Sequence, residues 1–340
     1  MKNIKLFSKV INTSIQQMLF DYPEMRIFGE DIKDPYGGAF GITQGLTTQY
    51  PDRIFNTPIS EAGVFGFCFG MASEGVPIMM ELMFGDFSLL IMDQLHNNAS
   101  KLAEFSEIKN NFILRTPMGG YRGYGPTHSQ SLHRFLVGSE NIDIVTSSNF
   151  ISPYFEYKKM FNRGRISIYL EDKMTYLEID ATEALESNDL FSITRIGNPY
   201  LDVHFKSKFK SNSTLIVCVA SMLRIAIEAA NELFIESEIA VDIYQVNSLW
   251  PLNISEIASY AASKESIIFL EEGWVTYGIT SEILATLVEN KIIQSKANII
   301  RLGSESTIIP AGKELENKIL PTASKVVDAI RSSESGIRNG

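Results

Sequence analysis

A carboxylate at the mouth of an apolar run is the first feature of this chain that could do chemistry. Residues 55–75 read FNTPISEAGVFGFCFGMASEG; from Ala62 to Ala72 there is no charge, yet Glu61 stands immediately before that run. Two readings are open. Glu61 is a first-turn carboxylate stabilised by the helix dipole, worth about 0.3–1 kcal/mol, and on local pattern alone this is the commoner case. Alternatively, Gly63, Gly66 and Gly70 let another backbone approach this helix closely, so that a glutamate at the edge of the contact is partly desolvated. Desolvation lets a carboxylate hold or share a proton near neutrality.

Two further stretches carry candidates. RTPMGGYRGYGPTHSQS (115–131) is a glycine-rich loop after a strand and leads to His128. It lacks the spacing and lysine of a P-loop. A lone histidine is more often structural, but one flanked by Ser129 and Gln130 at the end of such a loop could exchange a proton. In FGDFSLLIMDQLHNNASKLAEF (84–105) the apolar residues recur at helical spacing and read as core. Phe87 is the one aromatic there that could project toward a ligand; taken alone it reads as packing. Metal chemistry is not indicated: the four histidines show no paired ligand spacing and Cys68 and Cys218 are isolated. No G-x-S-x-G elbow marks a serine hydrolase.

The elements that must position these groups alternate. Candidate strands are RIFGEDI (26–32), RIFNT (53–57), VPIMMEL (76–82), NFILRT (111–116), IDIVTS (142–147) and ISIYLED (166–172), with helical patterns at 4–21, 61–74, 86–106 and 152–162. Short apolar strands separated by helices predict a parallel sheet covered on both faces. NPYLDVHFKSKFKSNS (198–213) breaks the rhythm and reads as a linker. The alternation then resumes to the C-terminus. The fold class expected is therefore α/β with two doubly wound domains, 1–197 and 214–340, joined by 198–213. In open parallel sheets ligands bind beyond the carboxyl ends of the strands, where Glu61 falls.

Bulk properties narrow the partners. At 340 residues the chain exceeds one ordinary core. Its net charge of -10, with 30 scattered Lys and Arg, argues against nucleic acid. No stretch approaches a membrane span of roughly 18–20 apolar residues. The N-terminus reads as an amphipathic helix and not a signal peptide, and the two cysteines as buried hydrophobes, so a cytoplasmic location is expected.

The order GED (29–31), GGAFGITQGL (37–46), TPISEAGVFGF, ELMFGDF with DQ at 93–94, RTPMGG leading to HSQS, and FLEEGW (269–274) runs through nearly the whole chain. In that order the sequence resembles the beta subunit of the thiamine-diphosphate-dependent decarboxylating component of 2-oxo acid dehydrogenase complexes. The resemblance implies a transketolase-like pyrimidine-binding domain followed by a transketolase C-terminal domain. It implies oxidative decarboxylation of a 2-oxo acid with acyl transfer to a lipoyl domain. By the same resemblance Glu61 hydrogen-bonds a ring nitrogen of the cofactor's aminopyrimidine and favours its imino tautomer. Phe87 packs on that ring, Ile59 lines the pocket, and His128 handles the bound intermediate and its transfer.

Departures from the pattern shape the partners expected. No GDG motif occurs, so the diphosphate and its magnesium are expected on a separate alpha subunit, in a heterotetramer of two alpha and two beta chains served by a lipoyl acyltransferase component. Family members bind a structural potassium ion near the segment that here reads FNRGRI (161–166); Arg163 and Arg165 would repel it, which argues against that site. VNSLWPLN (246–253) has lost an arginine and two acids of the family pattern. Two alternatives follow from such drift. One is a paralogue using the same decarboxylation for carbon–carbon bond formation in biosynthesis; the other is a non-catalytic scaffolding subunit.

Overall fold

Strands buried on both faces read as unbroken apolar runs, and the first half of the chain contains several of them. In the computed structural model, which describes residues 5–105, 109–182, 189–209 and 213–337, these runs form one sheet of a first unit. That unit comprises Met1–Gly119, Phe135–Glu183 and Leu249–Pro251. Its strands are β1 (Arg26–Gly29), β2 (Ile54–Asn56), β3 (Ile78–Glu81), β4 (Phe112–Met118), β5 (Ile142–Thr146) and β6 (Ile166–Asp172). They lie in the order β5-β6-β4-β3-β1-β2, parallel throughout. β4 is buried along its entire length. The expected helix over 61–74 is present as Glu61–Ser73.

The helix expected over 86–106 is broken into pieces. Gly85–Ile91 winds as a 3₁₀ turn, Asp93–Ala99 as π-helical turns, and only Ser100–Phe105 is α-helical. Periodicity could not foresee this, because each piece lasts only about two turns, too short a window to tell a 3.0-residue spacing from one of 3.6. Phe87 consequently stands on a tight 3₁₀ turn, with its N–H bonded to the Phe84 carbonyl.

The second unit comprises Gly120–Arg134, Ala184–Ser248 and Leu252–Gly340. Its sheet holds β7 (Phe191–Ile196), β8 (Asp202–Ser207), β9 (Thr214–Val219) and β10 (Val241–Val246), then β12 (Ser266–Trp274) and β13 (Asn298–Ser304), in the order β13-β12-β9-β10-β8-β7. The intervening β11 (Ser248–Trp250) extends the first sheet beside β5. In the second sheet β9 pairs in parallel with β10 and β12, and β12 with β13, whereas β8 runs antiparallel to both β7 and β10.

The stretch 198–213 is thus not a linker over its described part. It contains β8, and β7 before it belongs to the second sheet as well; residues 210–212 lie outside the described residues. The polar letters misled because their partners are distant in sequence. His204 is buried and stacks on Tyr260 with ring centroids 3.7 Å apart. Asp202 is fully buried. It accepts from the Asn247 and Ser248 N–H groups (2.7 and 3.0 Å), the Asn253 amide (2.9 Å) and the Tyr244 hydroxyl (3.0 Å).

Asp202 yields a stability prediction. Burial, opposed by those four donors, pushes its carboxyl up from 3.8 to about 6. Between these values the folded chain keeps a proton that the unfolded chain has released. The contribution of Asp202 to stability therefore falls as pH rises through that window, by roughly 3 kcal/mol in all. Urea midpoints of wild type and Asp202→Asn at pH 4 and pH 7 check this. The wild-type advantage is expected to shrink at the higher pH; two curves that shift in parallel would contradict it.

Candidate active site

The carboxyl ends of the parallel strands set the first unit's site. Register aligns Asn56 of β2 with Gly29 of β1, Gly29 with Glu81 of β3, and Glu81 with Arg115 of β4, so polar groups line one edge of an apolar sheet. Glu61 begins the helix that follows β2 at this same edge. It is 8% exposed, and no hydrogen-bond donor among the described residues reaches its carboxylate. A nearly buried carboxylate without a donor from its own chain is unusual, because desolvating an unpaired charge is costly.

A second carboxylate stands nearby. Glu30, directly after β1, is half-buried, and its carboxyl is raised above the usual range by burial first, then by the charges of Glu61 and Asp31. Glu30, within GED (29–31), carries no local sign of a role. The missing signal was the pairing of β1 with β2, which brings the residues after each strand together.

Phe87 is half-buried at the rim of an aromatic cluster. Phe84 lies edge-on to Phe87 at 5.9 Å and to Phe40 at 5.7 Å, and the buried Lys173 ammonium lies 5.5 Å from the Phe84 ring. The 3₁₀ turn that carries Phe87 packs against the helix that begins with Glu61. The structure therefore brings Glu61 and Phe87 onto neighbouring elements. Ile59 is different: it is 84% exposed. A partly open aromatic on one element and, on the neighbouring element, a carboxylate with no donor among the described residues are groups of the kind that hold a flat heteroaromatic ring carrying an N–H donor.

Beneath this edge lies an ion cluster that sequence reasoning missed. Arg115, 1% exposed, donates from Nε and Nη2 to the two Glu171 oxygens (2.6 and 2.8 Å) and from Nη1 to Glu81 (3.0 Å). The Tyr176 hydroxyl donates to Glu171 as well, at 2.6 Å. Burial raises the Glu81 carboxyl, and the Arg115 charge only partly opposes that rise. An arginine inside an apolar strand is itself a signal, since such a charge is buried only when paired. At the segment where the resemblance implies potassium, Arg163 and Arg165 both turn to the buried Asp143, at 2.5 and 3.6 Å.

His128 belongs to the second unit, in the loop Gly120–Arg134. It is half-exposed, and its Nδ1 lies 2.9 Å from the Thr127 hydroxyl. Neither cysteine contributes a nucleophile: both are buried, and burial pushes the Cys68 thiol up to about 12. Among the described residues no helix is long and apolar enough to cross a membrane.

Known proteins share this layout. Residues 5–161 match the transketolase pyrimidine-binding domain and residues 205–326 the transketolase C-terminal domain. The chain is similar to the pyruvate dehydrogenase E1 component subunit beta-1, mitochondrial, of Arabidopsis thaliana, at 26% identity over 95% of this chain and 87% of that one. It is 27% identical to the 2-oxoisovalerate dehydrogenase subunit beta 2, mitochondrial, of the same plant, over 98% of this chain and 89% of that one. A solved split-gene transketolase, described as an inactive beta4 tetramer, matches with a TM-score of 0.72 at 17% identity, over 95% of this chain and 96% of its own. That last likeness is one of fold. The chain belongs to the transketolase-like family, and along nearly all its length it is similar to the beta subunits of 2-oxo acid dehydrogenases.

Proposed function

We propose that this chain is the beta subunit of a 2-oxo acid dehydrogenase, active with an alpha subunit in oxidative decarboxylation and acyl transfer to a lipoyl domain. The observation that carries this reading is the Glu61 carboxylate, nearly buried at a sheet edge with no donor among the described residues. The family is associated with thiamine diphosphate, and the residues at this edge fit its pyrimidine half. Glu61 offers an acceptor to a ring N–H, and Phe87 offers an aromatic face at the rim. When bound, the cofactor supplies the electron sink for loss of carbon dioxide.

The chain's own groups have three tasks in this reading. Glu61 holds or shares a proton at the pyrimidine nitrogen. Phe87 packs on the ring and excludes water from its face, while Ile59 becomes a pocket wall once a partner covers it. His128 exchanges a proton during acyl transfer. The diphosphate and magnesium fall to the alpha subunit, because this sequence contains no GDG. No potassium ion is proposed near 161–166, since Asp143 already has two guanidinium partners.

The helix Glu61–Ser73 supports the partner. It is apolar all the way round, a pattern of helices enclosed on every side, yet Gly63, Phe67 and Gly70 stand open. A Cβ built on Gly70 would meet nothing within 4 Å, and one on Gly66 only the Gln94 amide oxygen at 3.6 Å. Glycine inside a helix costs about 1 kcal/mol relative to alanine, and among the described residues nothing crowds Gly66 or Gly70 closely enough to require it. A helix of another subunit packed on them accounts for their smallness. Gly70→Ala is expected to stabilise the isolated chain by about 0.5–1 kcal/mol, and Gly70→Leu to leave it folded by circular dichroism but unable to co-purify with the alpha subunit.

The reading is tested by co-expression with the alpha subunit, followed by assay of a 2-oxo acid panel with an artificial electron acceptor and then with a lipoyl domain. Turnover is expected from the assembled complex and none from this chain by itself. A complex that assembles and binds thiamine diphosphate but decarboxylates no 2-oxo acid would overturn it.

A further inference from the structure

The loop that carries His128 follows β4 in sequence, yet from Gly120 to Arg134 it belongs to the second unit. Its backbone is held there at several points. The Gly120 N–H and the Ser131 hydroxyl both donate to the same oxygen of Glu272, each at 2.6 Å. One carboxylate oxygen therefore closes the loop at both ends, with His128 inside the span. Glu316, fully buried, accepts the Gly123 N–H at 2.7 Å. Tyr121 donates its hydroxyl to the Pro321 carbonyl at 2.7 Å, and the Arg224 guanidinium lies 5.3 Å from its ring.

The loop's conformation would not persist without these anchors. Tyr121 has φ 64, a left-handed backbone that bulky residues seldom adopt. Such geometry survives only where the surroundings over-determine it, and it clusters at working sites. The source of the main anchor is the pair Glu271–Glu272 in FLEEGW. Neighbouring residues of a strand point to opposite faces, and the two carboxylates divide accordingly. Glu271 accepts the Ile279 and Thr280 N–H groups at 3.1 and 3.3 Å and so caps the helix Ile279–Glu289, whereas Glu272 takes the loop.

We propose that Glu272 is a positioning residue for His128, acting through the two ends of the loop, with Glu316 as its second support. The catalytic half of this proposal rests on the reading of His128 as the group that serves acyl transfer. Carboxylate acceptors make shorter and stronger hydrogen bonds to N–H and O–H donors than amides do, which suits one oxygen serving two donors.

The experiment uses the complex assembled with its alpha subunit and compares wild type with Glu272→Ala, Glu272→Gln and His128→Ala. Hydrogen exchange read by mass spectrometry over 119–131 is expected to rise at least tenfold in Glu272→Ala, with the helix Ile279–Glu289 unchanged. The kcat for acyl transfer to a lipoyl domain is expected to fall at least tenfold while KM for the 2-oxo acid stays within twofold. Glu272→Gln, which keeps an acceptor oxygen, is expected to recover most of both. Unchanged exchange over the loop in Glu272→Ala would overturn the proposal. So would a loosened loop with acyl transfer intact while His128→Ala abolishes it. If His128→Ala itself transfers acyl groups at the wild-type rate, the reading of His128 falls instead, and the exchange data alone decide whether Glu272 clasps the loop.

Discussion

Glu61→Gln, assembled with its alpha subunit, is expected to lose about 10²-fold or more in kcat while still binding thiamine diphosphate. Glutamine keeps the shape and one acceptor oxygen, but it cannot take up or share a proton. A positioned acid–base group contributes about 10²–10⁴-fold, and that is the part removed. Binding is expected to change far less, because the proposed ring packing on Phe87 and the proposed hold of the alpha subunit on the diphosphate are untouched. The measurements are steady-state kinetics with an artificial acceptor and a calorimetric titration of the cofactor. The variant should also move its neighbour. The charge of Glu61 is one cause of the raised Glu30 carboxyl, so in Glu61→Gln the Glu30 titration followed by carbon NMR should shift to lower pH. Activity within twofold of wild type would remove Glu61 from the mechanism.

Arg115→Met carries the largest expected cost in stability. Arg115 lies between Glu171, fully buried, and Glu81, 8% exposed. Methionine fills much of the volume but leaves two carboxylates together in a dry interior. Breaking a buried ion cluster in this way costs about 3–5 kcal/mol. The sign of the pH dependence follows from the same geometry. Without the guanidinium nothing from Arg115 opposes the burial that already raises the Glu81 carboxyl, so the folded variant binds more protons than its unfolded chain. Its stability should therefore rise as pH falls, and the deficit against wild type should be smaller at pH 5 than at pH 8. Urea denaturation at both values measures it, and Arg115→Met combined with Glu171→Gln should recover part of the loss. An equal deficit at the two pH values would show that lost packing, and not stranded charge, sets the cost.

Several parts of this molecule were legible from letters alone. Apolar runs such as NFILRT and ISIYLED mark parallel strands because both faces of such a strand are covered, and residue type records that burial directly. TPISEAG placed Glu61 at a strand-to-helix turn, because a proline, a serine and the start of an apolar run are local features. The structure puts it there, at the carboxyl edge of the sheet. Phe87, expected in an α-helix, stands on a 3₁₀ turn.

Other parts depend on partners far away in sequence. Asp202 and His204 made 198–213 look like a solvated linker, but donors from residues 244–253 and the ring of Tyr260 allow both to be buried inside a strand. Arg115 is tolerable in the core only because Glu81 and Glu171 arrive on adjacent strands. The loop of His128 follows β4 of the first sheet in the chain, yet Glu272, more than a hundred residues onward, is what fastens it. Residue types and their spacing sufficed for the α/β class, which is written in short windows by periodicity and turn chemistry, and the order of motifs along the chain carried the resemblance to the family. Which charges are buried, which loop belongs to which sheet and which carboxylate stays without a donor were settled by folding. A polar group's cost depends on whether a partner reaches it in space, and no local window contains that partner.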